Sequence, residues 1–194
     1  MASQSIFAQL VSLACHDLRT PLATATGFAH TLQRLDSIET PADRYVEMIG
    51  AASEQMAELL DLLGVAARIE AGRFDVQARG ADSRQLADAA AARLDGHAGV
   101  DGGGAQVQVD PRWAEMSLAA VAECVRRHGA LERVTLTVDG PSVAIGPLAD
   151  GVGAIAVGDD LKDFSAAVGS SVLLAMGAEL EPDGERLVVR LPQA

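Results

Sequence analysis

The chain has 194 residues, of which 49% are hydrophobic and only 3% aromatic, and it carries a formal charge of −12. That length suits one domain or two small ones, and the core has to be built from Leu, Val, Ile and Ala. So acidic a chain has no clustered Lys and Arg to grip a phosphate backbone, which excludes nucleic-acid binding.

The N-terminus MASQSIFAQL lacks the basic start of a signal peptide. No apolar run approaches the ~20 residues that span a bilayer. A soluble, cytoplasmic chain without a membrane sensor is the expectation. From about Ser3 to Asp36, Ile6, Leu10, Leu13, Ala14, Leu22, Ala25, Phe28, Leu32 and Leu35 recur at three- and four-residue steps, predicting one long amphipathic helix. Ser3 or Ser5 can cap its start. Pro21 removes a backbone donor and predicts a kink, with two shorter helices as the alternative. Just before it, His16, Arg19 and Thr20 share a helix face, with Asp17 adjacent. A histidine that accepts a phosphoryl group needs a neutral ring nitrogen, and an acid to hold the other nitrogen's proton. Asp17 suits that role, although a solvated histidine beside an acid has the same local pattern. Of the two cysteines, Cys15 is a small packing residue and Cys124 lies far from it; they fit no CxxC or zinc spacing, as in a reduced intracellular protein. No two of His16, His30, His97 and His128 have metal spacing, so no metal ligands are expected.

Residues 37–40 read as a turn, with Thr40 capping a helix that starts at Pro41. Tyr45, Met48, Ile49, Ala52, Met56, Leu59, Leu63, Ala66 and Ile69 form its stripe, which ends near Gly72. Two long helices joined by a short turn make an antiparallel hairpin. A hairpin cannot cover its own stripe, and two hairpins close a four-helix bundle, so a homodimer is expected with residues 1–74 as its unit.

Residues 75–194 read as a second domain. An extended connection is followed by a helix from Asp82-Ser83 to Leu94, and then by five glycines within residues 96–104, read as a flexible linker. No GK[ST] follows, so this is not a phosphate-cradling loop. The predicted order continues with a strand at 106–109, a helix at 113–127, strands at 134–138 and 142–145, a helix at 168–176 and strands at 179–181 and 186–191. Helices interspersed with mostly antiparallel strands give an α/β sandwich. The fold class is α+β: a helical hairpin followed by this sandwich.

The string His16-Asp17-Leu18-Arg19-Thr20-Pro21-Leu22 resembles, at all seven positions, the phosphoacceptor box of two-component histidine kinases. Ala67 to Phe74, ARIEAGRF, resembles the end of their dimerisation domain. The resemblance implies His16 as phosphoacceptor, Asp17 as its acid–base partner and Thr20 in phosphatase or transfer chemistry, with Arg19 as a phosphate contact. Asp110 to Gly129, DPRWAEMSLAAVAECVRRHG, resembles the strand end and helix that carry the nucleotide site of the same kinases. There the chain departs from the pattern. The two asparagines that help hold Mg²⁺ are Ala120 and Cys124, while the acid before the second survives as Glu123. The D-x-G-x-G expected after Ile145 has only Asp150-Gly151-Val152-Gly153 as a shifted remnant. The later G-x-G reads Ala167-Val168-Gly169, and the segment before it offers only Lys162 as a phosphate-binding cation.

These departures imply a histidine phosphotransferase that keeps a kinase-like body and passes phosphate between response-regulator receivers through His16. The alternatives are a divergent kinase that phosphorylates His16 from ATP and a non-enzymatic pseudokinase adaptor. The expected partners are a second copy, receiver domains and an upstream hybrid kinase, with no nucleic acid and no membrane. No cofactor bound by this chain is expected: ATP is not the donor, and Mg²⁺ belongs to the receiver's site.

Overall fold

A computed structural model describes residues 6–33 and 41–193 of the chain. The expected caps at Ser3, Ser5 and Thr40 and the turn at 37–40 lie outside the described residues. Two helices, α1 (Ile6–Gln33) and α2 (Pro41–Glu70), form the N-terminal part. α1 runs through Pro21 as one helix. Pro21 has no N–H, so the carbonyl of Asp17 loses the donor four residues on that a regular helix supplies. One turn further, the Thr24 hydroxyl donates to the Thr20 carbonyl at 3.0 Å. Leu10, Ala14, Ala52 and Leu59 are buried. Phe28 stacks on Tyr45 with 5.5 Å between ring centres, joining the two helices through their few aromatic groups.

The chain divides into two compact units at Gly64/Val65. Helix α2 continues past that point, and its last turn, with Val65 and Ala66 buried, belongs to the second unit. The end of the helix, read from sequence as the domain edge, comes later in the chain than the division in packing.

The second unit holds β1 (Arg79–Asp82), α3 (Ser83–Ala92), β2 (Ala98–Gly104), β3 (Gln106–Val109), α4 (Pro111–His128), β4 (Val134–Gly140), β5 (Ser142–Gly146), α5 (Val152–Val157), α6 (Phe164–Ala175), β6 (Glu179–Asp183) and β7 (Arg186–Arg190). β1 and β3 form an antiparallel ribbon, and the main sheet has the order β2-β4-β5-β7-β6. Only β2–β4 is parallel. Alternate residues of the central strands, Leu136, Val138, Val143, Ile145, Leu187 and Val189, are buried, whereas Thr135, Thr137, Ala144 and Val188 between them are half-exposed. That period of two is the mark of a sheet covered on one face. Helices α3 and α4 pack over β4 and β5, and α5 and α6 against β6. The helix starts follow from their caps. Asp82 accepts from the Arg84 and Gln85 amides, Asp110 from Trp113 with Pro111 following, and Asp163 from Ala166.

Three expectations need correcting. The glycine run is not a linker: its residues from Ala98 on form β2, the edge strand, paired in register with β4. Two of the glycines stand where the backbone is crowded. Gly102 has φ +89°, and a Cβ on it would stand 2.0 Å from the Val138 carbonyl; one on Gly104 would stand 2.6 Å from the Arg84 amide. The second correction is α5, a short helix missing from the predicted order, which starts within the D-G-x-G stretch. Gly151 supplies a left-handed residue (φ +77°) at its start, and Gly153 is pressed on Pro182. Third, the last helix begins at Phe164, four residues before its predicted start, on the Asp163 cap.

Candidate active site

Helix α1 presents His16 with three-quarters of its side chain in solvent. Its Nδ1 lies 3.1 Å from Asp17 Oδ1, on a carboxylate one-third exposed. A proton on Nδ1 is held by that carboxylate, and the Nε2 lone pair is left pointing to an open surface. Thr20 is exposed one turn further along the helix. The backbone of Arg19 belongs to the same turn, while its side chain, with those of Cys15 and His30, lies outside the described part. Directly beyond, Thr20, Pro21 and Thr24 of α1 and Met48, Ala52 and Gln55 of α2 line an open groove of about 270 Å³.

The second unit carries the positions where the kinase resemblance puts a nucleotide. Ala120 and Cys124 lie on α4, and α6 packs along that helix. A Cβ on Gly169 would stand 3.2 Å from the Ser117 carbonyl and 3.3 Å from Ala120 Cβ, so α6 lies close on α4 beside the half-exposed Ala120. Cys124 is fully buried one turn on. Burial, then the nearby Asp163 carboxylate, push its thiol well above the usual range, so it stays protonated. Mg²⁺ takes hard oxygen ligands, and a methyl and a buried thiol supply none. Glu123 is engaged in a two-point ion pair with Arg126 at 2.7 and 2.6 Å. Lys162 is paired with Asp160 at 2.7 Å. Ala167, where the first glycine of the later motif is missing, is buried and sits 3.6 Å from where a Cβ on Gly158 would lie. Ala120 and Cys124, where the resemblance expects asparagines, therefore offer Mg²⁺ no oxygen ligand.

The structure also brings together residues that the sequence keeps apart. Asp163, 2% exposed, accepts a hydrogen bond from Arg127 at 2.5 Å, and its Oδ2 lies 3.3 Å from His128 Nε2. Cys124 completes the group. Two of these residues were legible together as Cys-x₃-His on one helix face. Asp163, 35 residues beyond His128, carried no signal apart from its role as a helix cap.

Residues 8–72 match the family model of the His Kinase A (phospho-acceptor) domain. No curated protein sequence matches the chain. Among solved structures, the chain is similar to the Acinetobacter baumannii histidine kinase AdeS, at 16% identity and a TM-score of 0.66 over 92% of this chain and 98% of that one. A bacterial phosphotransferase aligns over 97% and 96% of the two chains at 14% identity and a TM-score of 0.51. Full-length ShkA in complex with AMPPNP aligns over 96% of this chain but 47% of its own length, at 18% identity and 0.54. At these identities the likeness speaks for the fold. No described helix is long and apolar enough to cross a membrane. Residues 8–72 thus match a His Kinase A phospho-acceptor domain, and the chain as a whole shares its fold with a solved histidine kinase.

Proposed function

We propose that the chain is a histidine phosphotransferase of a cytoplasmic phosphorelay, accepting a phosphoryl group on His16 from one receiver and donating it to another. The observation that carries this reading is the contrast between its halves. His16 is open to solvent beside Asp17, while positions 120 and 124 carry a methyl and a buried thiol that offer Mg²⁺ no ligand. The Nε2 lone pair attacks the phosphorus of a receiver's aspartyl phosphate, the bond from phosphorus to the aspartate oxygen breaks, and the carboxylate leaves. The ring gains positive character, which Asp17 offsets by holding the Nδ1 proton. Transfer to the second receiver reverses these steps. Any Mg²⁺ belongs to the receiver, and this chain takes no phosphate from ATP. In this reading Thr20, exposed one turn on, orients a water or the incoming phosphoryl group, and Arg19 is assigned as a phosphate contact by the resemblance alone.

The working unit in this reading is a homodimer. The stretch α1–α2 leaves Leu22, Val46, Met48 and Leu60 exposed, and a second hairpin covers such side chains in a four-helix bundle. The likeness to a histidine kinase over 92% of the chain supports the competing reading, in which His16 is labelled from ATP.

One experiment separates the two. The purified chain is mixed with receivers carrying radiolabelled aspartyl phosphate, and separately with labelled ATP and Mg²⁺. The relay reading expects acid-labile label on the chain from receivers, none from ATP, and none on a His16→Gln variant. Labelling from ATP alone overturns it. Label on neither arm, with His16→Gln retaining biological activity, leaves the adaptor reading.

A further inference from the structure

We propose that Cys124, His128 and Asp163 form a binding site for a thiophilic divalent cation, with zinc the best match. Cys124 and His128 are four residues apart, and so stand one above the other on α4. Asp163 caps α6 and reaches the same point from the other helix. Cys124 Sγ, the His128 ring nitrogen and a carboxylate oxygen of Asp163 all lie within 4.8 Å of one another. His128 Nε2 and Asp163 Oδ2, at 3.3 Å, already have the separation of two ligands on a tetrahedral zinc ion, about 3.3 Å for metal–ligand bonds near 2.0 Å. The sulfur has to approach by about 1 Å at most, within reach of a side-chain rotation.

A second observation points the same way. His128 Nε2 is buried from solvent and has no hydrogen-bond partner among the described residues; although close to Asp163, it is not aligned with it. Buried polar nitrogens are nearly always satisfied, and an orphan of this kind calls for a partner such as a bound ion. The donor set also selects the metal. Thiolate, imidazole and carboxylate suit zinc, whereas the same residues offer Mg²⁺ too few oxygens. Charge is consistent with this. On binding, the thiol releases its proton to solvent and the cation meets one thiolate and one carboxylate. Arg127, which now neutralises Asp163 and is 59% exposed, can swing out into water. The bound ion would tie α4 to the start of α6 at the position where the kinase pattern carries an asparagine.

The test uses the full chain and is independent of phosphotransfer, so its failure leaves the relay reading untouched. Protein purified without chelator is assayed for zinc by mass spectrometry, then stripped and titrated with Co²⁺ as the probe. The expected result is stoichiometric uptake with a thiolate-to-cobalt charge-transfer band. That band is lost in Cys124→Ser and in His128→Gln, and kept in Cys15→Ser. Arg127→Ala, which removes the cation competing for Asp163 without touching the core, should bind Co²⁺ about tenfold more tightly; it keeps the test valid if Cys124→Ser misfolds. No charge-transfer band in wild type and Arg127→Ala, or a band that survives Cys124→Ser, overturns the proposal.

Discussion

Gly169→Ala tests how closely α6 lies on α4. In a solvent-exposed helix interior this substitution stabilises by about 1 kcal/mol, because alanine loses less backbone entropy. Here the new methyl would stand 3.2 Å from the Ser117 carbonyl oxygen and 3.3 Å from both Ser117 Cα and Ala120 Cβ. Two of those three atoms are backbone, so α4 as a whole has to shift. Overpacking of this kind costs ~1–3 kcal/mol. The two effects oppose each other, and the steric one is the larger. A net loss of about 1 kcal/mol is expected, with a fall in Tm of roughly 3–5 °C for a unit of this size. Trp113 is the sole tryptophan, it lies on α4, and it packs edge-on against Phe74 at 5.9 Å. Its fluorescence therefore reports urea unfolding of this unit. The midpoint should fall with the slope unchanged. Gly169→Leu should cost ~3 kcal/mol or more by the same steric reasoning. If Gly169→Ala were instead stabilised by the ~1 kcal/mol of propensity alone, the helices would not be in close contact there.

Asp17→Asn keeps the shape of the site but removes the charge beside His16, and the initial rate of label transfer from a phosphorylated receiver should drop ~10²–10⁴-fold. Arg84→Ala should destabilise by ~1–2 kcal/mol in thermal melts. It frees the outward carbonyls of Val100 and Gly102, which the guanidinium now binds at 3.1 and 2.7 Å, and light scattering should detect concentration-dependent association through the bared edge strand. The Cys124 thiol supplies a pH prediction for metal-free protein. Its folded pKa is raised above the ordinary value of about 9, so the unfolded chain releases this proton first as pH rises. The stabilisation is complete below pH 9 and declines above it, by up to ~1.4 kcal/mol per unit. Urea melts from pH 8 to 10.5 should show that decline in wild type and a shallower one in Cys124→Ala.

The β2 edge also explains why a glycine-rich stretch can be ordered here. The His97 carbonyl accepts from the Val134 amide, so the carbonyls of Ala98, Val100 and Gly102 face away from β4. Arg133 binds the first at 2.8 Å, and Arg84 binds the other two. The guanidinium groups satisfy the edge that a further strand would otherwise pair with. These arginines lie at distant positions in the chain, so nothing local in residues 96–104 announces a strand.

What the sequence determined alone is what depends on neighbours along the chain. Apolar spacing marked both long helices, because a helix face repeats every three to four residues, and a third helix read at 113–127 runs from Pro111 to His128. Alternation marked β4, β5 and β7. The string from His16 to Leu22 placed a histidine, an acid and a threonine on one turn, and the structure holds His16 and Asp17 at 3.1 Å without help from any other element. Tertiary structure decided what depends on approach between distant segments. The order of the glycine strand came from β4 and two arginines, and the close approach of α6 to α4 from Gly169 of another helix. The meeting of Cys124 and His128 with Asp163 came from the packing of α6 on α4. Local patterning records which face a residue takes, but the identity of what that face meets is a property of the packed fold.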